Sequence, residues 1–234
     1  MNTRPVKLSP PRQYTQAFTL NELLIVIALM VIIMGLAVPA FNAISGSRSI
    51  ESAENQISAF LAAVRSEAIG LQEPRGVLMF EDSSSGRVVL VQVFYPPNSR
   101  PNIDLFVGRD EMVLPGGVGL RGIPNQTQVV GGVTTVTAYS QWPNWTLVMF
   151  DGSGHVMLDT ITIPSASNLA TRVGTPAPSK LTPLPTNLLS NLGFILFDRA
   201  EFNAQPAANQ TKWLADNATP FALNRYNGSL LRGE

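Results

Sequence analysis

The sequence predicts an α+β fold: a long N-terminal helix, one half transmembrane and one half amphipathic, packed on an antiparallel β-sheet domain. Three observations predict it. Leu23–Phe41 runs without a charge, about the 20 apolar residues a helix needs to cross a hydrocarbon core of roughly 30 Å. Beyond it Ile57, Phe60, Leu61, Val64, Ala68 and Leu71 recur at spacings of three and four, one apolar stripe on a helix. From Gly76 the period changes to two and the composition becomes strand-like.

Residues 1–17 form a short leader carrying Arg4, Lys7 and Arg12. A secretory signal peptide has such a basic start, but its apolar region spans only about 7–15 residues. Pro39, within Ala37-Val38-Pro39-Ala40, also sits awkwardly for a cleavage site. A plain signal anchor accounts for the length, with the cationic leader held on the cytoplasmic side. Neither reading accounts for Glu22, because an acid inside a spanning helix is costly and points to a function with a partner.

The run Gln16-Ala17-Phe18-Thr19-Leu20-Asn21-Glu22-Leu23-Leu24 resembles the type III signal of type IV pilins and type II secretion pseudopilins. The resemblance implies a pilin-like fold in which residues 18–41 are the transmembrane and assembly helix. It implies a prepilin peptidase that cuts between Ala17 and Phe18 and N-methylates Phe18, leaving the apolar segment in place. Glu22 then becomes the fifth mature residue, the family's acid, which pairs with the N-terminal amine of a neighbouring subunit. An ammonium and a carboxylate in low dielectric relieve each other's desolvation. The family usually has Gly before the scissile bond, and this chain has Ala17, which bears on cleavage efficiency. The implied placement is a single-pass protein of the bacterial inner membrane, N-terminus cytoplasmic and globular domain periplasmic. Its implied partners are the peptidase, inner-membrane lipid and other pilins or pseudopilins through the N-terminal helix.

Residues 42–75 read as the amphipathic half of the same helix. Glu51, Glu54, Gln56, Arg65 and Glu67 make its solvated face, with Arg65–Glu67 as a surface pair, while Gly70 and Pro74 end the pattern. Ser45-Gly46-Ser47 weakens the middle, and Pro39 is expected to kink or soften the part before it. The segment Ser52–Ile69, which opens Ser52-Ala53-Glu54 and closes Ala62-Ala63-Val64-Arg65-Ser66-Glu67-Ala68-Ile69, is similar to the helix of GspH/FimT-type minor pseudopilins.

Residues 76–163 read as the β-rich globular domain. Val77–Glu81 and Arg87–Tyr95 form a hairpin around Asp82–Gly86, and short strands follow near Leu105–Val107, Glu111–Leu114 and Gly119–Arg121. Val129–Tyr139 reads as a longer strand with a bulge or turn at Gly131-Gly132. Trp145–Phe150 and His155–Ile163 read as a hairpin closed by Asp151-Gly152-Ser153-Gly154. Residues 164–187 are a Pro-rich loop with Pro176, Pro178, Pro183 and Pro185. Residues 188–234 form a C-terminal extension with strand candidates at Gly193–Phe197, Pro220–Asn224 and Ser229–Arg232, and with a helix or loop around Phe202 and Trp213.

Composition narrows the chemistry. The chain has no cysteine and one histidine, His155, which excludes disulfides, thiolate metal sites, cysteine nucleophiles and His-rich metal centres. Asp151-Gly-Ser-Gly with Asp159 lacks the acid-rich calcium pattern and reads as a hairpin turn. His155 has no nucleophile motif beside it, so no catalytic residue, metal or cofactor is expected. Trp142, Trp145 and Trp213 read as packing residues. Arg225, Tyr226 and Arg232 make a small basic-aromatic group, the kind of surface that holds phosphates and stacks bases. Some FimT-like proteins are associated with DNA uptake, so a membrane-anchored ligand-binding module taking DNA is the alternative function. The formal net charge is zero, Glu234 adjoins the group, and no Lys/Arg run supports it, so nucleic acid is not the expected partner. The function expected is a structural, non-enzymatic subunit: a minor pseudopilin or pilin of a type II secretion or type IV pilus system.

Overall fold

A computed structural model describes residues 19–106, 109, 111–123, 128–130, 133–135, 142–158, 160–163, 169 and 187–233, without side-chain detail at 36–47, 128–130, 133–135, 160 and 187–189. In chain order the elements are α1 (Leu20–Leu71), β1 (Arg75–Glu81), β2 (Val88–Phe94), β3 (Asp104–Leu105), β4 (Met112–Val113), β5 (Val118–Gly122), β6 (Gln128–Val130), β7 (Val133–Thr135), β8 (Trp145–Phe150), β9 (Val156–Met157), β10 (Thr160–Thr162), β11 (Asn187–Leu189), β12 (Gly193–Asp198), α2 (Arg199–Ala204), α3 (Ala207–Asn217), β13 (Thr219–Leu223) and β14 (Leu230–Arg232). The chain divides into two compact units, Met1–Ile44 and Ser45–Glu234. The fold is α+β with antiparallel strand pairing.

The described part of the first unit is helix. It begins with a reciprocal cap: Glu22 N–H donates to Thr19 Oγ1 (3.3 Å), while Thr19 N–H and Oγ1–H donate to Glu22 Oε2 at 3.0 and 2.8 Å. This is a capping box, which satisfies amides that the first helical turn leaves without intrahelical partners. The predicted transmembrane half is not found. Among the described residues no helix is long and apolar enough to cross a membrane. That finding overturns the transmembrane half of the predicted fold, and with it the single-pass inner-membrane placement.

The second unit is built on the rest of α1. Ala53, Ile57, Leu61, Val64 and Ala68 are buried, and Phe60 packs at their edge. Leu71, predicted to close this stripe, is 54% exposed because the helix ends there. Gln72 adopts φ 52°, Glu73 N–H donates to Ala68 O (3.2 Å) and Gln72 N–H to Ile69 O (3.3 Å). This pair of bonds is a Schellman terminus, with a glutamine in the left-handed position that glycine usually takes.

The larger sheet has the order β3-β2-β1-β8-β9, with β4 also on β2. Val77, Met79, Val88, Leu90, Val148 and Phe150 face the α1 cluster. The alternate residues, among them Leu78, Phe80, Val89 and Met149, pack with Ile103, Ile161, Ile163 and Leu169 on the other side. Both faces are covered, so every residue of β1 is buried and its centre, Val77–Phe80, is a continuous apolar run. The β1–β2 turn is closed by Asp82, whose carboxylate accepts from Ser84 N–H and Oγ–H and from Ser85 Oγ–H.

A second sheet has the order β14-β13-β12-β5. Its inner residues Val118, Leu120, Phe194, Leu196, Phe221 and Leu223 complete the α1 core. Ile195 and Phe197 point the other way and are covered by Phe202 of α2 and Leu214 of α3, with Trp142 and Trp213 at the margin. Glu81 ties the sheets together, reaching Arg121 of β5 at 3.1 Å and Arg199 of α2 at 3.0 Å. The hairpin β6–β7 and the pair β10–β11 form separate ladders, the latter tied to the chain before β3 where Ile103 N–H donates to Thr162 O (3.1 Å) and Thr162 N–H to Pro101 O (2.9 Å).

Several strand readings change. The predicted strand His155–Ile163 breaks in two: β9 pairs with β8, and β10 leaves to pair with β11. Val129–Tyr139 is described only as β6 and β7, paired Val130 to Val133; Gly131, Gly132 and 136–139 lie outside the described residues, as does most of the 164–187 loop.

Candidate functional site

Two surfaces carry the residues singled out from the sequence. The first is the start of α1. Leu20 is 82% and Met34 71% exposed, and Leu23, Leu24, Ile27 and Val31 between them are exposed as well. A contiguous apolar surface of this kind marks an interaction site. Ala17 and Phe18, the proposed cleavage and methylation pair, lie outside the described residues. Glu22 lies at the head of the exposed run, with a local partner that sequence reasoning missed. The pattern Thr19-x-x-Glu22 is itself a helix-start signature and was the available signal.

The second surface is a cleft of 460 Å³ lined by Asp151, His155, Val156, Met157, Leu158, Arg225 and Tyr226. It forms where the β8–β9 turn meets the β13–β14 turn. Asp151 Oδ1 accepts from the amides of Ser153 (2.8 Å) and His155 (2.9 Å), so this oxygen is committed to holding its own turn. Its Oδ2 lies 3.6 Å from His155 Nδ1. Val156 N–H donates to Arg225 O at 2.8 Å, which joins the turns. Asn224 Oδ1 accepts from Tyr226 N–H (2.9 Å), fixing the backbone from which the phenol ring projects. That ring is 74% exposed and meets the His155 imidazole edge-on, centroids 6.1 Å apart.

The turns are pinned to α1 by Arg65, whose Nε donates to Gly154 O at 2.8 Å. Gly154 (φ 81°) and Gly228 (φ 62°) both need the left-handed region, and a Cβ at either would press on Arg65. The structure therefore brings Asp151, His155, Arg225 and Tyr226 together. Arg232 does not line this cleft; its guanidinium lies 3.4 Å from Glu54 of α1. Asp159, paired with Asp151 in the calcium comparison, lies outside the described residues.

A third cluster closes the far end of the helix. The expected Arg65–Glu67 pair does not form, because residues two apart on a helix do not face each other. Glu67 instead accepts a fork from Arg109, with Nη1 to Oε2 at 2.7 Å and Nη2 to Oε1 at 2.9 Å, and a bond from Gln92 Nε2 at 3.0 Å. Arg75 Nε stands 3.7 Å from it. Partial burial pushes the Glu67 carboxyl up, but the bonds from Gln92 and Arg109 and the charges of Arg109 and Arg75 outweigh this and hold it below its ordinary value. Arg75 lies against the stacked rings of Phe94 and Phe106. The cluster holds the helix terminus to the sheet edge.

No protein-family model matches this chain, and comparisons with curated proteins and with solved structures find no match.

Proposed function

We propose that this chain is a structural, non-enzymatic subunit of the pilin-like kind, a GspH/FimT-type minor pseudopilin or pilin of a type II secretion or type IV pilus system. A prepilin peptidase cuts between Ala17 and Phe18 and methylates Phe18. The product packs into a helical fibre through the first half of α1. The observation that carries this reading is the exposed apolar run from Leu20 to Met34, headed by one carboxylate. So much apolar surface calls for a cover, and like helices from neighbouring subunits supply one of matching length and character. The capping box gives Glu22 a role within its own helix, and its acceptance of a neighbour's amine is a second role to be separated from the first.

Two measurements test this. Mass spectrometry of the chain co-expressed with a prepilin peptidase should find an N-methylated Phe18 at the mature terminus; an intact Met1 terminus removes the processing step. Cross-linking of helix-to-helix assemblies should fall about tenfold, the weight of one charge-assisted bond, in both Glu22→Ala and Glu22→Gln. Glutamine still offers Thr19 an acceptor oxygen but no charge. Assembly retained in Glu22→Gln and lost in Glu22→Ala would reduce Glu22 to a helix cap.

A further inference from the structure

We infer that the Asp151–His155–Arg225–Tyr226 cleft is a recognition site for an acidic peptide, taking one carboxylate and a neighbouring aromatic side chain. This goes beyond the assembly role, which uses the other end of the chain's long helix. The cleft carries one carboxylate, Asp151, and one guanidinium, Arg225, and the two differ in what they already hold. Asp151 and His155 face each other across 3.6 Å, and Asp151 Oδ1 is held by two amides of its own turn. Arg225 is exposed, and among the described residues its guanidinium makes no hydrogen bond or ion pair. The cleft therefore presents one uncommitted cation, and a guanidinium fork matches a single carboxylate bidentately.

The apolar half of the ligand follows from the lining. Tyr226 stands out at 74% exposure, Leu158 is 45% exposed, and the buried Val156 lies at the base. A flat ring stacks on or against a phenol with centroids about 4.5–7 Å apart. The Asn224 bond fixes the Tyr226 backbone, and the His155 edge meets the ring on one side, which leaves the rest of the ring open to a ligand. At 460 Å³ the cleft falls within the range of about 300–1,000 Å³ of small ligand sites, room for two adjacent side chains. A nucleic-acid strand fits less well. Polyanions are held by tracks of several cations, whereas here Arg232 is drawn to Glu54 and Arg65 to the Gly154 carbonyl.

His155 is the single histidine of the chain, so its ring Cε1–H resonance reports on the cleft alone. The full-length chain, kept in detergent micelles to cover its apolar helix, is titrated with the blocked peptide acetyl-Gly-Phe-Glu-Gly-amide. A saturable shift is expected. It should weaken about tenfold when the peptide's glutamate is replaced by glutamine, the effect of losing one charged hydrogen-bonding partner. Arg225→Gln should weaken it by a similar factor and abolish the preference between the two peptides. Tyr226→Leu should weaken both peptides. No shift up to about 10 mM, where any site of useful affinity would be filled, overturns the proposal. So does a shift indifferent to Arg225 and to the peptide's charge. Tighter binding of a single-stranded oligothymidylate than of the peptide, at the same resonance, gives the cleft to nucleic acid and overturns it too.

Discussion

The two ends of α1 are both apolar, and they behave in opposite ways. Between Leu20 and Met34 the large apolar side chains circle the helix and are exposed. Between Ala53 and Ala68 they occupy one stripe, at 53, 57, 61, 64 and 68, and are essentially inaccessible. The difference is one of cover. Two sheets lie over the second stretch, while the first has no partner within the described residues. A helix apolar all round signals a buried or partnered environment, and a striped one signals the margin of a core. The first stretch is therefore left uncovered among the described residues, and the second belongs to the core of this domain.

Substitution at matched positions should break that symmetry, with the largest effect in the covered half. Leu61→Ala or Ile57→Ala removes a fully buried side chain and should destabilise the domain by about 2–5 kcal/mol in chemical denaturation. Ile27→Ala, in the exposed half, should change the same unfolding curve by less than about 0.5 kcal/mol while weakening assembly. A large stability loss from Ile27→Ala would show that the first stretch is covered within the chain, and the comparison would fail.

The β8–β9 turn was legible because Asp151-Gly-Ser-Gly carries its chemistry locally: an aspartate accepting turn amides and a glycine at positive φ. The stripe of α1 was legible for the same reason, its period lying in adjacent turns. What the sequence hid was long-range. Nothing near His155–Ile163 reveals that β10 pairs with β11, some 26 residues on. The coverage of β12 by α2 and α3 shows only as the alternation of Phe194 and Leu196 with Ile195 and Phe197, all apolar. The cleft is the same kind of case, since His155 and Tyr226 lie far apart in sequence and meet only through the joined turns. At Glu22 the omission was local: attention to its cost in lipid passed over Thr19, three residues away.

A smaller effect is expected where the covered half ends, at Glu67. Its folded carboxyl titrates below its ordinary value of 4.5. Its contribution is therefore complete above that ordinary value and disappears as pH falls through the lower, folded value. Arg109, Arg75 and Gln92 are the groups facing it, and Glu73 is shared through Arg75. Glu67→Gln should cost about 1–2 kcal/mol near neutral pH, the worth of its charged bonds to Arg109 discounted for partial exposure. The difference from the unsubstituted chain should shrink steadily below pH 4.5. A gap independent of pH would mean that shape, not charge, is what Glu67 contributes.

The smallest effect concerns the point where α1 stops. Gln72 holds φ 52° in the Schellman turn, a conformation in which a side chain crowds its own carbonyl and costs about 1 kcal/mol. Gln72→Gly removes that crowding but gives the unfolded chain more freedom, which opposes the gain. Gly152 packs its backbone against the backbone of Gln72, so the substitution leaves that contact in place. The net expectation is a stabilisation of no more than about 0.5 kcal/mol. It should be seen as a higher midpoint in urea with an unchanged slope, and only in the cooperative unfolding of the covered half. Gln72→Ala retains the strain without the reach of the amide and should leave the midpoint where it was. If alanine stabilises as much as glycine, the side chain of Gln72 rather than its backbone is the source of the cost.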